Sequence, residues 1–170
     1  MRESYYLFFA ILLITFLSVF SCRVPDVNST SKPVTHEKWD SLVKQHVTPE
    51  GWVDYSGFQH DSSQLNDYLR LLSNNHPNEA NWTREERLAY WINAYNAYTI
   101  KLVVDHFPVK SIKDIKNGIP FVNSVWDIKF IEIEDQTYDL NNIEHGILRP
   151  KFNEPRIHFA INCASVSCPP

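Results

Sequence analysis

The sequence predicts an α+β fold: N-terminal helices packed on a small sheet, a single domain behind a membrane tether. Two observations lead there. Apolar residues recur at helical spacing as far as about His106, and short alternating or apolar runs follow from Lys129 onward. Composition agrees, since 44% hydrophobic and 14% aromatic residues can furnish a core of bulky side chains. A formal net charge of −4 offers no basic face for a phosphate backbone, so nucleic acid is excluded as an expected partner.

The tether is read from the N-terminus. Arg2 precedes an apolar run from Tyr5 to Phe20, broken only by Thr15 and Ser18 and followed by Ser21-Cys22. One positive charge, a short apolar stretch and a small residue before the cut describe a secretory signal over residues 1–21. The run is shorter than the roughly 20 residues that cross a bilayer core. Val19-Phe20-Ser21-Cys22 resembles the lipobox of bacterial lipoproteins, which makes Cys22 the expected lipidation site and the membrane an expected partner. Residues 22–34, with Pro, Ser, Thr and Asn and no periodicity, are expected to form a flexible tether, and 35–170 the domain. The expected location is the bacterial cell envelope, lipid-anchored and facing the periplasm or exterior.

The elements follow in order. Trp39, Leu42, Val43 and His46 share a helical face within 36–47, with Thr35 as its expected N-cap. Trp52 to Tyr55 is expected to be extended, and Leu65, Tyr68, Leu69 and Leu72 mark a second helix. Thr83-Arg84-Glu85-Glu86 is a capping box opening a long helix to about His106, where Phe107-Pro108 ends it. Its stripe of Leu88, Trp91, Ile92, Tyr95, Thr99, Leu102 and Val103 stands beside a second face of small residues, which predicts a central helix. Ser111 to Ile115 predicts a helical turn, and Gly118-Ile119-Pro120 a loop. A strand from Lys129 to Glu134 turns into a second through Tyr138, and Asp139 caps a helix ending at Arg149-Pro150. The apolar run Ile157 to Cys163 predicts a buried strand.

Chemistry-bearing residues gather toward the C-terminal end. Leu88-Ala89-Tyr90-Trp91-Ile92-Asn93-Ala94-Tyr95-Asn96-Ala97, Ile143-Glu144-His145-Gly146-Ile147-Leu148-Arg149 and the stretch from Arg156 through Cys163 to Cys168-Pro169-Pro170 form three blocks. Together they closely resemble the family catalogued as domain of unknown function 547, from roughly residue 84 to the end. The resemblance implies no particular activity. Members of that family usually continue past the Cys-Pro-Pro block, so the domain is expected to be incomplete at its C-terminus.

Strand alternation predicts Ile157, Phe159, Ile161 and Cys163 on one face, with His158, Ala160 and Asn162 on the other. His145 is then a better partner than His158 for a thiol, and it is expected to share a helix face with Arg149. One reading is a thiol-dependent hydrolase or acyl transferase acting on a peptide or small molecule. Its nucleophile is Cys163 or Cys168, its base His145 and its orienting group Glu144. Asn93 or Asn96 would supply an oxyanion donor or orienting group, with Arg149, His158 and Asn162 as further binding or orienting residues. Papain-like and transglutaminase-like enzymes share that logic at the level of analogy. The alternative is a non-catalytic envelope binding or scaffold lipoprotein with a structural Cys163–Cys168 disulfide. Closing so short a loop stabilises by about 2 kcal/mol on the chain-entropy account. There Asn93 and Asn96 satisfy loop backbone, and Glu144 and Arg149 form an ion pair. His145, His158, Cys163 and Cys168 are zinc-type ligands, but their spacing matches no compact motif, so neither a metal nor a cofactor is expected.

Overall fold

The computed structural model describes residue 27, residues 29–116 and residues 124–164. The signal segment, Cys22, Cys168 and the expected loop at Gly118–Pro120 lie outside these described residues. Among them no helix is long and apolar enough to cross a membrane.

Four helices form the N-terminal part. Helix α1 (Glu37–His46) buries Trp39, Leu42 and His46. Its N-cap is His36 rather than Thr35 and makes no side-chain cap bond, because the imidazole Nδ1 is paired with the Tyr68 hydroxyl at 2.8 Å. The expected extended segment stops at Asp54, since Tyr55 is already helical, and it contributes an antiparallel bridge between Val47 and Val53. Asp54 then caps α2 (Tyr55–His60), accepting from the Gly57 N–H at 2.9 Å. Helix α3 (Ser62–Ser73) buries Leu65, Tyr68, Leu69 and Leu72, the stripe its spacing predicts.

Helix α4 (Arg84–Asp105) is the central element. Its capping box forms as expected: the Thr83 hydroxyl accepts from the Glu86 N–H, and the Glu86 carboxylate accepts from the Thr83 N–H. Helices α2 and α3 pack against it, and α1 packs on α2 and α3. Eleven of its residues are buried, from Tyr90 to Val104. The expected turn after it is a 3-10 turn, Ile112–Asp114.

The sheet is a two-stranded antiparallel hairpin, β1 (Ile131–Ile133) with β2 (Gln136–Tyr138). Ile131 and Ile133 are buried and Glu132 exposed, so one face of the hairpin closes over the core. Two bonds fasten it to the end of α3: the Ser73 hydroxyl donates to the Glu132 carbonyl at 2.6 Å, and the Glu134 N–H to the Ser73 carbonyl at 2.7 Å.

Two C-terminal expectations are corrected. The segment Ile157 to Cys163 is not a strand: α6 (Ile157–Ala160) is one helical turn, followed by an extended Ile161. Pro155 and Glu154 start the turn, with the Glu154 carboxylate accepting the Arg156 N–H at 3.0 Å. Ile157 and Ile161 are buried four residues apart, whereas Phe159 is 67% exposed, so the burial period is helical. The helix after Asp139 also does not stop at Arg149-Pro150. Residues Asn142–Leu148 are π-helical and continue into α5 (Arg149–Phe152), where Pro150 occupies the first turn. Asp139 does cap the segment, accepting from the Asn142 N–H at 2.6 Å.

Ser29 to Val34, assigned to the tether on composition, runs along the domain. Ser31 anchors it: its carbonyl accepts from the Asn78 side chain at 2.9 Å and from the Trp82 indole at 3.1 Å.

Nearby, His76 is buried between Trp91 and Tyr138, with ring centroids at 5.4 and 6.1 Å. Its Nδ1 lies 2.9 Å from the Pro77 carbonyl, which only accepts, so Nδ1 carries the proton and Nε2 accepts from the Tyr138 hydroxyl. Burial, opposed only in part by the Pro77 bond and the Glu134 charge, holds this imidazole below its ordinary value. The unfolded chain therefore takes up the proton first, at about pH 6.5, so stability is full above that pH and falls as pH drops toward the folded value. Urea unfolding as a function of pH should show this fall in the native protein and a shallower one in His76→Phe.

Candidate functional site

The three sequence blocks meet on α4. Tyr95 faces the π-helical segment, and Asn96, the next residue round the helix, faces the turn of α6 and the chain beyond it. The Asn96 amide bonds that chain twice. Its Nδ2 donates to the Ala160 carbonyl at 2.9 Å, and its Oδ1 accepts from the Asn162 N–H at 2.8 Å. Asn162 in turn accepts the Ala164 N–H through Oδ1 at 2.7 Å, a local turn that holds Ala164 at φ 56°. Asn96 therefore satisfies loop backbone. Asn93, half-buried three residues earlier, makes no side-chain hydrogen bond among the described residues.

Cys163 lies in the segment that Asn96 holds, and it is disulfide-bonded. Its partner is outside the described residues. A bonded sulfur has no thiolate to offer, and only the thiolate is nucleophilic.

The π-helix rearranges the residues around Glu144. In an α-helix His145 and Arg149 would share a face; with hydrogen bonds from i to i+5, Glu144 and Arg149 come together instead. The Arg149 Nε and Nη2 donate to one Glu144 oxygen at 2.9 and 2.6 Å. Glu144 is 15% exposed at its side chain, and beside it lies Tyr95, which is buried. Burial first, and then the Glu144 charge, push the Tyr95 phenol above its ordinary range. His145 points outward, 61% exposed, with Nε2 3.8 Å from Glu144. That is beyond hydrogen-bond reach, so Glu144 does not orient the imidazole. His158 is exposed on α6 against the Phe159 ring, and the expected opposition of His158 and Cys163 across a strand does not arise.

Next to Asn96 and Asn162 runs a groove of about 150 Å³ walled by Trp39, Val43, Ile100 and Phe159. Small-molecule sites usually span about 300–1,000 Å³, so this groove is undersized for one.

Two residues outside the sequence candidates carry polar chemistry. Tyr95 was assigned to the apolar stripe of α4, and its hydroxyl is the signal that a polar neighbour was due. His46, counted on the apolar face of α1, has Nε2 2.8 Å from Asp61 Oδ2, with both side chains largely buried. The other face of that ring is closed, because a Cβ added at Gly57 would lie 2.3 Å from His46 Nδ1. The pair is a structural one.

A family model described as "Protein of unknown function, DUF547" matches residues 79–170, more than half of the chain. No curated protein and no solved structure matches it.

If Asn96 acts as a clamp, Asn96→Ala should cost about 1–3 kcal/mol, the range for two lost bonds and an unmet amide. Asn96→Asp should be no better, since it keeps the acceptor for Asn162 but turns a second oxygen on the Ala160 carbonyl. Urea unfolding of the two variants checks this. An Asp variant as stable as the native protein would remove the donor half of the clamp.

Proposed function

The chain belongs to the DUF547 family, and from that premise we propose that it is a lipid-anchored binding or scaffold protein of the bacterial cell envelope. The observation that carries this reading is the bonded state of Cys163. The chain has 3 cysteines. With Cys22 given to the lipid, Cys168 is the partner left for Cys163. An oxidising envelope compartment favours such a bond. The polar residues around it support the same reading: Asn96 is committed to backbone, and Glu144 to Arg149.

One observation favours the second reading, a thiol-dependent hydrolase or acyl transferase. Glu144 and His145 stand on π-helical backbone, an arrangement found frequently at functional sites. That reading requires reduction of the disulfide, so that Cys163 or Cys168 becomes a thiolate, and rotation of His145 toward it.

Mass spectrometry of the protein purified without reductant, alkylated before and after reduction, separates the two. The binding reading expects no alkylation at Cys163 or Cys168 before reduction, and an acylated Cys22 at the N-terminus. A thiol at either position that alkylates rapidly at neutral pH would restore the enzyme reading. A chain still carrying residues 1–21 would remove the lipid anchor.

A further inference from the structure

On the side of α4 that faces the Ser29–Val34 segment lies a cleft of about 670 Å³, well within the volume range of small-molecule sites. Its walls include Arg84, Arg87 and Lys151, and its apolar part comes from Pro77, Trp91 and Phe152. One acid, Glu79, also lines it. His76 lines it too but is held neutral by burial, so it adds no charge.

Three cations against one carboxylate leave a formal excess of two positive charges in a protein whose net charge is −4. Arg84 and Arg87 are three residues apart on the first turn of α4 and so project side by side. Arg84 pairs loosely with Glu85, 3.8 Å away. Arg84 Nη2 donates to the Phe152 carbonyl, and its guanidinium stands 5.8 Å from the centre of the Phe152 ring. Arg87 Nη1 meets Glu79 at 2.5 Å, while its Nε is buried with no hydrogen-bond partner. Buried side-chain polar atoms are mostly bonded, so Arg87, which lines the cleft, keeps one donor unmet. Lys151, contributed by α5, forms no ion pair among the described residues, yet its charge is felt by both Glu79 and His76. All these charged groups thus line one space.

We propose that this cleft binds an organic phosphomonoester. A phosphomonoester carries about −1.5 to −2 charge at neutral pH, which matches the excess in the cleft. Its oxygens suit the fork geometry of two guanidinium groups with an ammonium as a third point. The cleft is larger than an inorganic anion needs, and the Trp91 and Phe152 walls receive the ester's apolar part. Such an ester has two sources, a soluble metabolite or the headgroup of a phosphatidic acid lipid. The proposal rests on the binding reading above and supplies its ligand class.

Isothermal titration of the full chain with phenyl phosphate and with monomeric dihexanoyl phosphatidic acid tests it. Binding of either ligand, weakened at least tenfold in Lys151→Glu and in Arg84→Met and unchanged in Arg156→Glu outside the cleft, is the expected result. Tighter binding of phenyl phosphate points to a soluble ester, and tighter binding of the phosphatidic acid to a lipid headgroup. No binding of either ligand, or binding indifferent to Lys151→Glu and Arg84→Met, overturns the proposal. The thiol count reports on the binding reading and the titration on this cleft, so the two fail separately.

Discussion

Helix α4 is buried on nearly every side, and its burial constrains whatever packs against it. A polar group on such a helix must find a partner, because an unmet one costs about 1–3 kcal/mol. Three of its polar side chains fasten neighbouring elements. The Tyr90 hydroxyl donates to the Leu72 carbonyl at 2.8 Å and holds the end of α3. The Asn96 amide holds the chain from Ala160 to Asn162. Tyr95 lies against Glu144 and with it the π-helical segment. The blocks that make the family recognisable are thus the points at which one helix grips three others.

The same constraint explains the backbone around Glu144. Asp139 caps the segment at one end and Phe152 is buried at the other, while Ile143, Ile147 and Leu148 all face the core. Apolar residues at these spacings are accommodated by widening the helix to π geometry. The widening brings Arg149 onto Glu144, five residues apart, and turns His145 to solvent. A carboxylate held by a guanidinium and backed by a buried phenol is well placed to fix structure. It is poorly placed to orient an imidazole 3.8 Å away.

What was legible in the sequence was whatever is decided locally. Thr83 and Glu86 announce the start of α4 because a capping box is closed within four residues. Ile131, Ile133 and Tyr138 announce the hairpin through their alternation. What was not legible is decided by distant partners. The Ile157 to Cys163 run reads as a strand, but no strand is available to pair with it among the described residues, and Asn96 takes the Asn162 N–H instead. The π-helical register depends on what three apolar residues meet across the core. Ser29 to Val34 has tether composition, and only Asn78, Asn81 and Trp82, some fifty positions on, make it part of the domain. Of the cationic cleft, Arg84 and Arg87 are adjacent on paper, but Lys151 joins them only through the packing of α5.

The C-terminal block is braced on α4, with Asn96 as its fastener. Native-state hydrogen exchange at the Asn162 amide tests this brace, because this N–H has Asn96 Oδ1 as its acceptor. A braced segment should show protection close to that of the buried amides of α4, such as Tyr98 and Leu102. Exchange at the rate of an open loop would mean that the segment moves freely over α4. The brace would then be lost.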